Sequence, residues 1–239
     1  MKLFSNDLFK RTTAFRLMPV VLLVLLTAVL SSCLKEPDPV PTGEAKVRYV
    51  NAVPGSNPQN FYVNGQQLNS LTVSYGFASD YVTITSGYNN FIFADQGSTT
   101  GNATDAGTLA IGDVVTFFYY RTQDNKVLAT GINDDLSAPA AGKAKVRFIN
   151  IDSFLPTTTS SIAITTVGGS ALETALAFGG VSKYYEVDAG VQFSATATTA
   201  AGVVTAPNVN PGIVAGKTYT VWYSGTTATE LTGYSIVHN

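Results

Sequence analysis

The chain has 239 residues, 13% charged and 45% hydrophobic, with 21 Gly, 12 Tyr, 13 Phe and a formal charge of −2. This composition excludes a disordered or collagen-like chain, and the length admits one large domain or two small ones, either able to bury a core. An internal repeat, described below, selects two.

Residues 1–32 read as a targeting segment. Lys2, Lys10, Arg11 and Arg16, against Asp7 alone, form a basic leader, and Val20 to Leu30 is an almost unbroken Val/Leu run. A membrane-spanning helix needs about 20 apolar residues, and this run is shorter, preceded by Pro19 and followed by Ser31-Ser32, so a cleaved signal peptide is expected. Leu30-Ser31-Ser32-Cys33 resembles the lipobox of bacterial lipoproteins, in which the cysteine is acylated and becomes the first mature residue. Ordinary secretory cleavage prefers small residues at both −3 and −1, and Leu30 breaks that pattern. Cys33 is the only cysteine, so no disulfide forms within the chain, and lipid attachment supplies a reason for the lone thiol.

Residues 33–43 follow as an acylated cysteine and a tether, with Pro37, Pro39 and Pro41 excluding helix and central strand. The acidic Glu36 and Asp38 resemble the surface-export tags of some Gram-negative lipoproteins. The expected location is the cell envelope, lipid-anchored, at the outer membrane. Removal of residues 1–32 leaves ten basic and fifteen acidic residues, a charge of −5, which excludes the basic footprint of a nucleic-acid binder.

Two tandem repeats occupy the remainder. Ala45-Lys46-Val47-Arg48-Tyr49-Val50-Asn51 returns as Ala144-Lys145-Val146-Arg147-Phe148-Ile149-Asn150. Gly76, Ser79 and Tyr81 return as Gly179, Ser182 and Tyr184, and Gly112 to Tyr119 returns as Gly216 to Tyr223. The first repeat spans 44–136 and the second 143–239, joined by a small-residue linker over 137–142. Short Val, Ile, Thr, Tyr and Phe runs between Gly, Asn, Asp and Pro predict an all-β fold of two antiparallel sandwiches, Ig-like or Greek-key in type, with about seven strands each. A small barrel is the structural alternative. Phe61-Tyr62-Val63 before Asn64-Gly65 predicts a hairpin with a type I′ turn, and Val167-Gly168-Gly169 takes the same place in the second copy.

The first repeat resembles domain-of-unknown-function family 4397 in Arg48 to Ala52, Tyr62-Val63-Asn64-Gly65, Tyr75-Gly76 with Ser79 and Tyr81, and Gly87-Tyr88. The second copy is divergent and has lost the Asn-Gly turn. The resemblance implies a β-sandwich in an exported, often lipid-anchored protein and supplies no catalytic residues.

Comparison of the copies sorts side chains by face. Val115, Phe117 and Tyr119 match Tyr219, Val221 and Tyr223, and this parity is expected to face the core. Phe118, Tyr120 and Trp222 lie on the opposite parity, expected outward, and form the candidate partner-contact surface. Two readings stay open for them: packing under a loop or between the repeats, which aromatic abundance in strands favours, and a sugar- or protein-binding platform. Arg48 and Arg147 repeat at one strand position, expected to pair with carboxylates or to cover apolar surface.

No catalytic site is expected. The single histidine, His238, sits next to the C-terminus, where chains are usually mobile, and the cysteine is assigned to lipid, which removes His- and Cys-dependent nucleophiles and zinc sites. Asp80, Asp105, Asp113, Asp134-Asp135 and Asp188 sit in no recognisable motif, Asp134-Asp135 reading as a solvated turn, and neither metal nor cofactor is implied. The leading function is a non-catalytic envelope module that binds a glycan or protein partner or acts as a spacer. An accessory subunit of an outer-membrane assembly or uptake system comes second, and a carboxylate-based glycan hydrolase third.

Overall fold

A computed structural model describes residues 41–68, 71–155 and 161–239. The leader, Cys33 and most of the tether lie outside the described residues. Sixteen strands form four four-stranded sheets, and the described residues contain no helix.

The first repeat holds β1 (Glu44–Asn51), β2 (Gln59–Val63), β3 (Gln66–Gln67), β4 (Val82–Thr85), β5 (Gly87–Asp95), β6 (Gly101–Leu109), β7 (Val114–Arg121) and β8 (Val127–Asn133). Its two sheets run β4-β1-β7-β8 and β3-β2-β5-β6. The second repeat holds β9 (Lys143–Asn150), β10 (Ile162–Thr166), β11 (Ala171–Leu176), β12 (Tyr185–Asp188), β13 (Phe193–Thr199), β14 (Gly202–Thr205), β15 (Thr218–Ser224) and β16 (Thr232–Val237). It repeats the layout as β12-β9-β15-β16 and β11-β10-β13-β14. Each copy is thus a sandwich of eight strands.

One pairing in each copy departs from the antiparallel expectation. β1 runs parallel to β7, with Tyr49 opposite Phe117, and β9 runs parallel to β15, with Phe148 opposite Val221. These strands carry apolar side chains on both parities, the pattern of strands buried on both faces. The Asn64-Gly65 turn forms as expected, with φ of 51° and 79° at the two residues.

Each sandwich has its own core. Tyr49, Phe61, Phe91, Phe93, Phe117 and Tyr119 fill the first in contact with one another, the Phe61 and Phe93 rings 4.8 Å apart. Smaller side chains, among them Ile162, Ile164, Ala195 and Ala197, share the second core with Phe148, Phe193, Tyr219 and Tyr223. The expected inward parity of β7 and β15 holds in both.

A third apolar cluster joins the outer faces of the β1/β7 and β9/β15 sheets. Val50, Ala52 and Phe118 from the first repeat meet Ile149, Ile151, Trp222 and Ile236 from the second. The molecule therefore has three packed layers of side chains, and the central one belongs to both repeats.

Candidate functional site

Phe118 and Trp222 are 1% and 0% exposed, which corrects their assignment to an outward contact surface. They do point away from their own cores, but into the other repeat. Trp222 stacks on Tyr234 at 4.2 Å and meets Tyr75 and Phe118 edge-on. Tyr120 is half-buried at the edge of the same cluster, near Phe178 of the second repeat. Burying large apolar area against a partner sheet is the more favourable use of such side chains, and duplication places that partner in the same chain.

Beside this cluster lies a buried polar layer. Arg147 of the second repeat forms an ion pair with Asp134 of the first and donates to the Asn133 carbonyl at 2.5 Å. The Arg147 Nε donates to Thr220 Oγ1 at 2.9 Å, and Thr220 in turn meets His238 Nε2 at 2.7 Å. His238 Nδ1 lies 2.6 Å from the Tyr81 hydroxyl, which donates to Asp134 Oδ2 at 2.7 Å. With His238 neutral and protonated on Nδ1, every bond has one donor and one acceptor, and the circuit Arg147–Thr220–His238–Tyr81–Asp134 closes on itself.

Burial sets the electrostatics of the layer. It pushes the His238 pKa down to about 3, helped by the positive charges of Arg147 and Arg48, so the imidazole is neutral at ordinary pH. Burial also raises the Asp134 carboxyl above its usual range, opposed by Arg147 and by the hydroxyls of Thr116 and Tyr81. Desolvation likewise lowers the Arg48 guanidinium.

Two sequence readings are corrected here, and the alternatives for Arg48 are narrowed to one. His238 is 6% exposed and fixed by two hydrogen bonds, because β16 carries the C-terminus into the interface. Asp134 is a buried ion-pair partner, while Asp135 forms a separate, partly exposed pair with Lys145 that holds its pKa down to about 2. Arg48 takes no carboxylate: it donates to the Ser79 and Val237 carbonyls and lies 4.3 Å over the Tyr81 ring.

The contacts across the interface are reciprocal. Arg48 reaches the β16 carbonyl of Val237, and its counterpart Arg147 reaches the equivalent β8 carbonyl of Asn133. Arg48 lies over Tyr81, and Arg147 over the matching Tyr184. This self-complementary exchange is the signature of an isologous contact, here between duplicated halves of one chain. Asp134 and His238 occupy the matching position one residue past β8 and β16, and Asp135 and Asn239 the next, so a charge breaks the symmetry at both.

One of several concave polar features among the described residues is a cleft of about 380 Å³ at the loop end of the first sandwich. The β1–β2 loop supplies Ser56 and Asn57, the ends of β5 and β6 supply Asp95 and Asn102, and β7 with its following turn supplies Tyr119, Arg121 and Asn125. Asn51, at 0% exposure, pins the loop: its side chain bonds Ser56, the Asn57 and Val73 carbonyls and the Val53 amide.

Asp95 organises the cleft. Its carboxylate accepts from Asn57 Nδ2 at 3.0 Å, Gln59 Nε2 at 2.7 Å and Asn102 Nδ2 at 2.6 Å. Those amides hold its pKa below the usual carboxylate range. Across the cleft Arg121 Nη1 donates to Asn125 Oδ1 at 2.6 Å, and the buried Arg121 Nε has no hydrogen-bond partner among the described residues. Desolvation raises the Tyr119 phenol, with Asp95 adding to the rise. Among the described residues no three His, Cys, Asp or Glu side chains gather as metal ligands. The sequence motifs contain Asn51 but not Asp95, Gln59 or Arg121, which adjacent strands and opposite sheets bring together.

The second repeat ends differently. β2 and β10 are both five residues long and enter matching hairpins, so Gln59 corresponds to Ile162. Val63 pairs with Phe91 as Thr166 pairs with Phe193, so Asp95 corresponds to Ala197. Arg121, two residues after Tyr119, corresponds to Gly225, two after Tyr223. Ile162 and Ala197 are both 0% exposed in the second core. Asp152 lies against Gly225 there, where a Cβ would come within 2.8 Å of its carboxylate oxygen. Burial and the neighbouring charge of Glu230 lift Asp152 to about 6.

No curated protein matches the chain. Among solved structures, a protein from Eubacterium rectale determined by NMR aligns over 39% of this chain and 87% of its own, at 20% identity and a TM-score of 0.27. A family CBM26 module of Eubacterium rectale Amy13K, crystallised with maltoheptaose, aligns over 81% of this chain and 95% of its own, at 13% identity and a TM-score of 0.27. At these scores neither bears on what this chain binds. Residues 45–157, which span nearly all of the first sandwich and the opening strand of the second, match the family described as "Domain of unknown function (DUF4397)".

Proposed function

We propose that this protein is a lipid-anchored module of the cell envelope whose two fused sandwiches act as one non-catalytic binding body. The observation that carries the reading is the closed interface: it buries Phe118, Trp222 and the sole histidine, and leaves the cleft of the first sandwich as an organised polar surface. Three of the candidate carboxylates make structural bonds. Asp113 caps the Ala110 amide, Asp188 pairs with Lys143, and Asp105 accepts from the Gly131 and Ala106 amides. Anchoring rests on Leu30-Ser31-Ser32-Cys33, with the proline-rich tether holding the body off the membrane at the outer-membrane level.

Metabolic labelling with palmitate, followed by membrane fractionation, tests the anchor. Wild type is expected to carry label and sediment with membranes, whereas Cys33→Ser should lose the label and either stay uncleaved or become soluble. A correctly cleaved Cys33→Ser that still sediments overturns the reading.

A further inference from the structure

The cleft at the loop end of the first sandwich carries a polar set at three positions where the second copy has Ile, Ala and Gly. Ile162, Ala197 and Gly225 stand where Gln59, Asp95 and Arg121 stand, so the architecture does not require the polar set. Burying the Gln59 amide beside a core is unfavourable unless its bonds are satisfied, and Asp95 and the Asn57 carbonyl accept both of its N–H groups. A charged network kept where an apolar pair serves the fold equally well implies use by a ligand.

The chemistry of the lining selects the class. Asp95 spends its lone pairs on three amide N–H groups and so acts on the ligand through Asn57 and Asn102 rather than directly. Those two amides keep their carbonyl oxygens uncommitted as acceptors, and Asn125 keeps its NH₂ as a donor. Arg121 lines the same wall and adds N–H donors through its terminal nitrogens. Val53 and Val127 supply apolar wall beside the buried Tyr119. Alternating neutral donors and acceptors with flanking apolar surface match vicinal hydroxyl groups on a C–H face, and the Arg121 guanidinium, whose Nη1 is held by a neutral amide, donates to a ring or hydroxyl oxygen.

We infer that this cleft binds a neutral sugar residue of a glycan, held by Asn57, Asn102, Asn125 and Arg121. This rests on the binding-module reading and gives it a ligand class.

Isothermal titration of the full-length protein in detergent with neutral linear hexasaccharides of glucose, mannose, galactose and xylose tests the inference. At least one is expected to bind, and Asn57→Ala/Asn102→Ala, which changes two exposed side chains, should weaken that sugar at least tenfold. Gln59→Ile/Asp95→Ala, which installs the second repeat's residues, should remove binding while far-ultraviolet circular dichroism stays that of the wild type. Absence of binding to all four, binding unchanged in Asn57→Ala/Asn102→Ala, or binding of a tetra-alanine peptide with no sugar overturns it. Cleavage of the bound sugar would overturn the non-catalytic reading and leave the ligand class standing, and palmitate labelling reports on the anchor independently.

Discussion

Arg147 and Asp134, from opposite repeats, form an ion pair whose side chains are 3% and 0% exposed at the centre of the interface. The pair does not stand alone: Thr116 and Tyr81 also donate to Asp134, and Arg147 also holds Thr220. Full satisfaction is what makes a buried charge pair tolerable, and it makes removal of one partner severe.

Asp134→Ala should therefore destabilise the protein by about 3–5 kcal/mol, because Arg147 is left charged and unpaired in the interior. Asp134→Leu combined with Arg147→Met should restore much of that loss. Urea unfolding followed by tryptophan fluorescence reads both, since Trp222 lies in the same interface. A loss below about 1 kcal/mol for the single change would show that the pair is not under tension.

His238 makes the interface sensitive to acid. Its pKa falls from 6.5 to about 3 on folding, so the unfolded chain binds the extra proton first. The stability it confers is fully present above pH 6.5 and declines as pH falls towards 3, by an amount on the order of 4 kcal/mol. His238→Gln should flatten that part of the stability profile relative to wild type. Asp134, raised by burial, acts in the opposite sense as it takes up a proton.

Asp152 predicts a change of the other sign. Its folded pKa of about 6 stands above the ordinary 3.8, so its contribution is favourable at low pH and is lost as pH rises through 6. Asp152→Asn keeps the acceptor for the Phe154 amide and removes the charge. It should stabilise the protein above pH 6 by on the order of 2 kcal/mol, with little effect below pH 4. Thermal melts at pH 4 and 8 check this.

Phe118→Ala and Trp222→Ala should each lower stability by about 3–5 kcal/mol through the cavity left between the repeats. Neither should alter glycan affinity in the fraction that remains folded, since both side chains lie outside the cleft. A selective loss of binding by folded Trp222→Ala would return these residues to a recognition role.

Periodicity alone made the strands legible. Alternation along β7 and β15 assigned Phe117 and Val221 inward, and Asn64-Gly65 announced its own turn, because strand face and turn type depend on neighbours within a few residues. The repeat likewise exposed Arg48 and Arg147 as equivalent.

The same alternation could not tell an outward face in water from an outward face against a second sheet. Phe118 and Trp222 carry identical local patterns in either case, and the docking of one repeat on the other decided it. His238 entered the interface for a similar reason: its partners Tyr81 and Thr220 lie 157 and 18 residues away. The cleft depended still more on the fold, since Gln59, Asp95 and Arg121 come from two sheets and acquire meaning only beside Ile162, Ala197 and Gly225. Sequence by itself determined the strands and the duplication, which are local or self-similar. Tertiary structure alone decided which polar groups are buried, because burial is set by residues that strand pairing and sheet packing bring in from elsewhere in the chain.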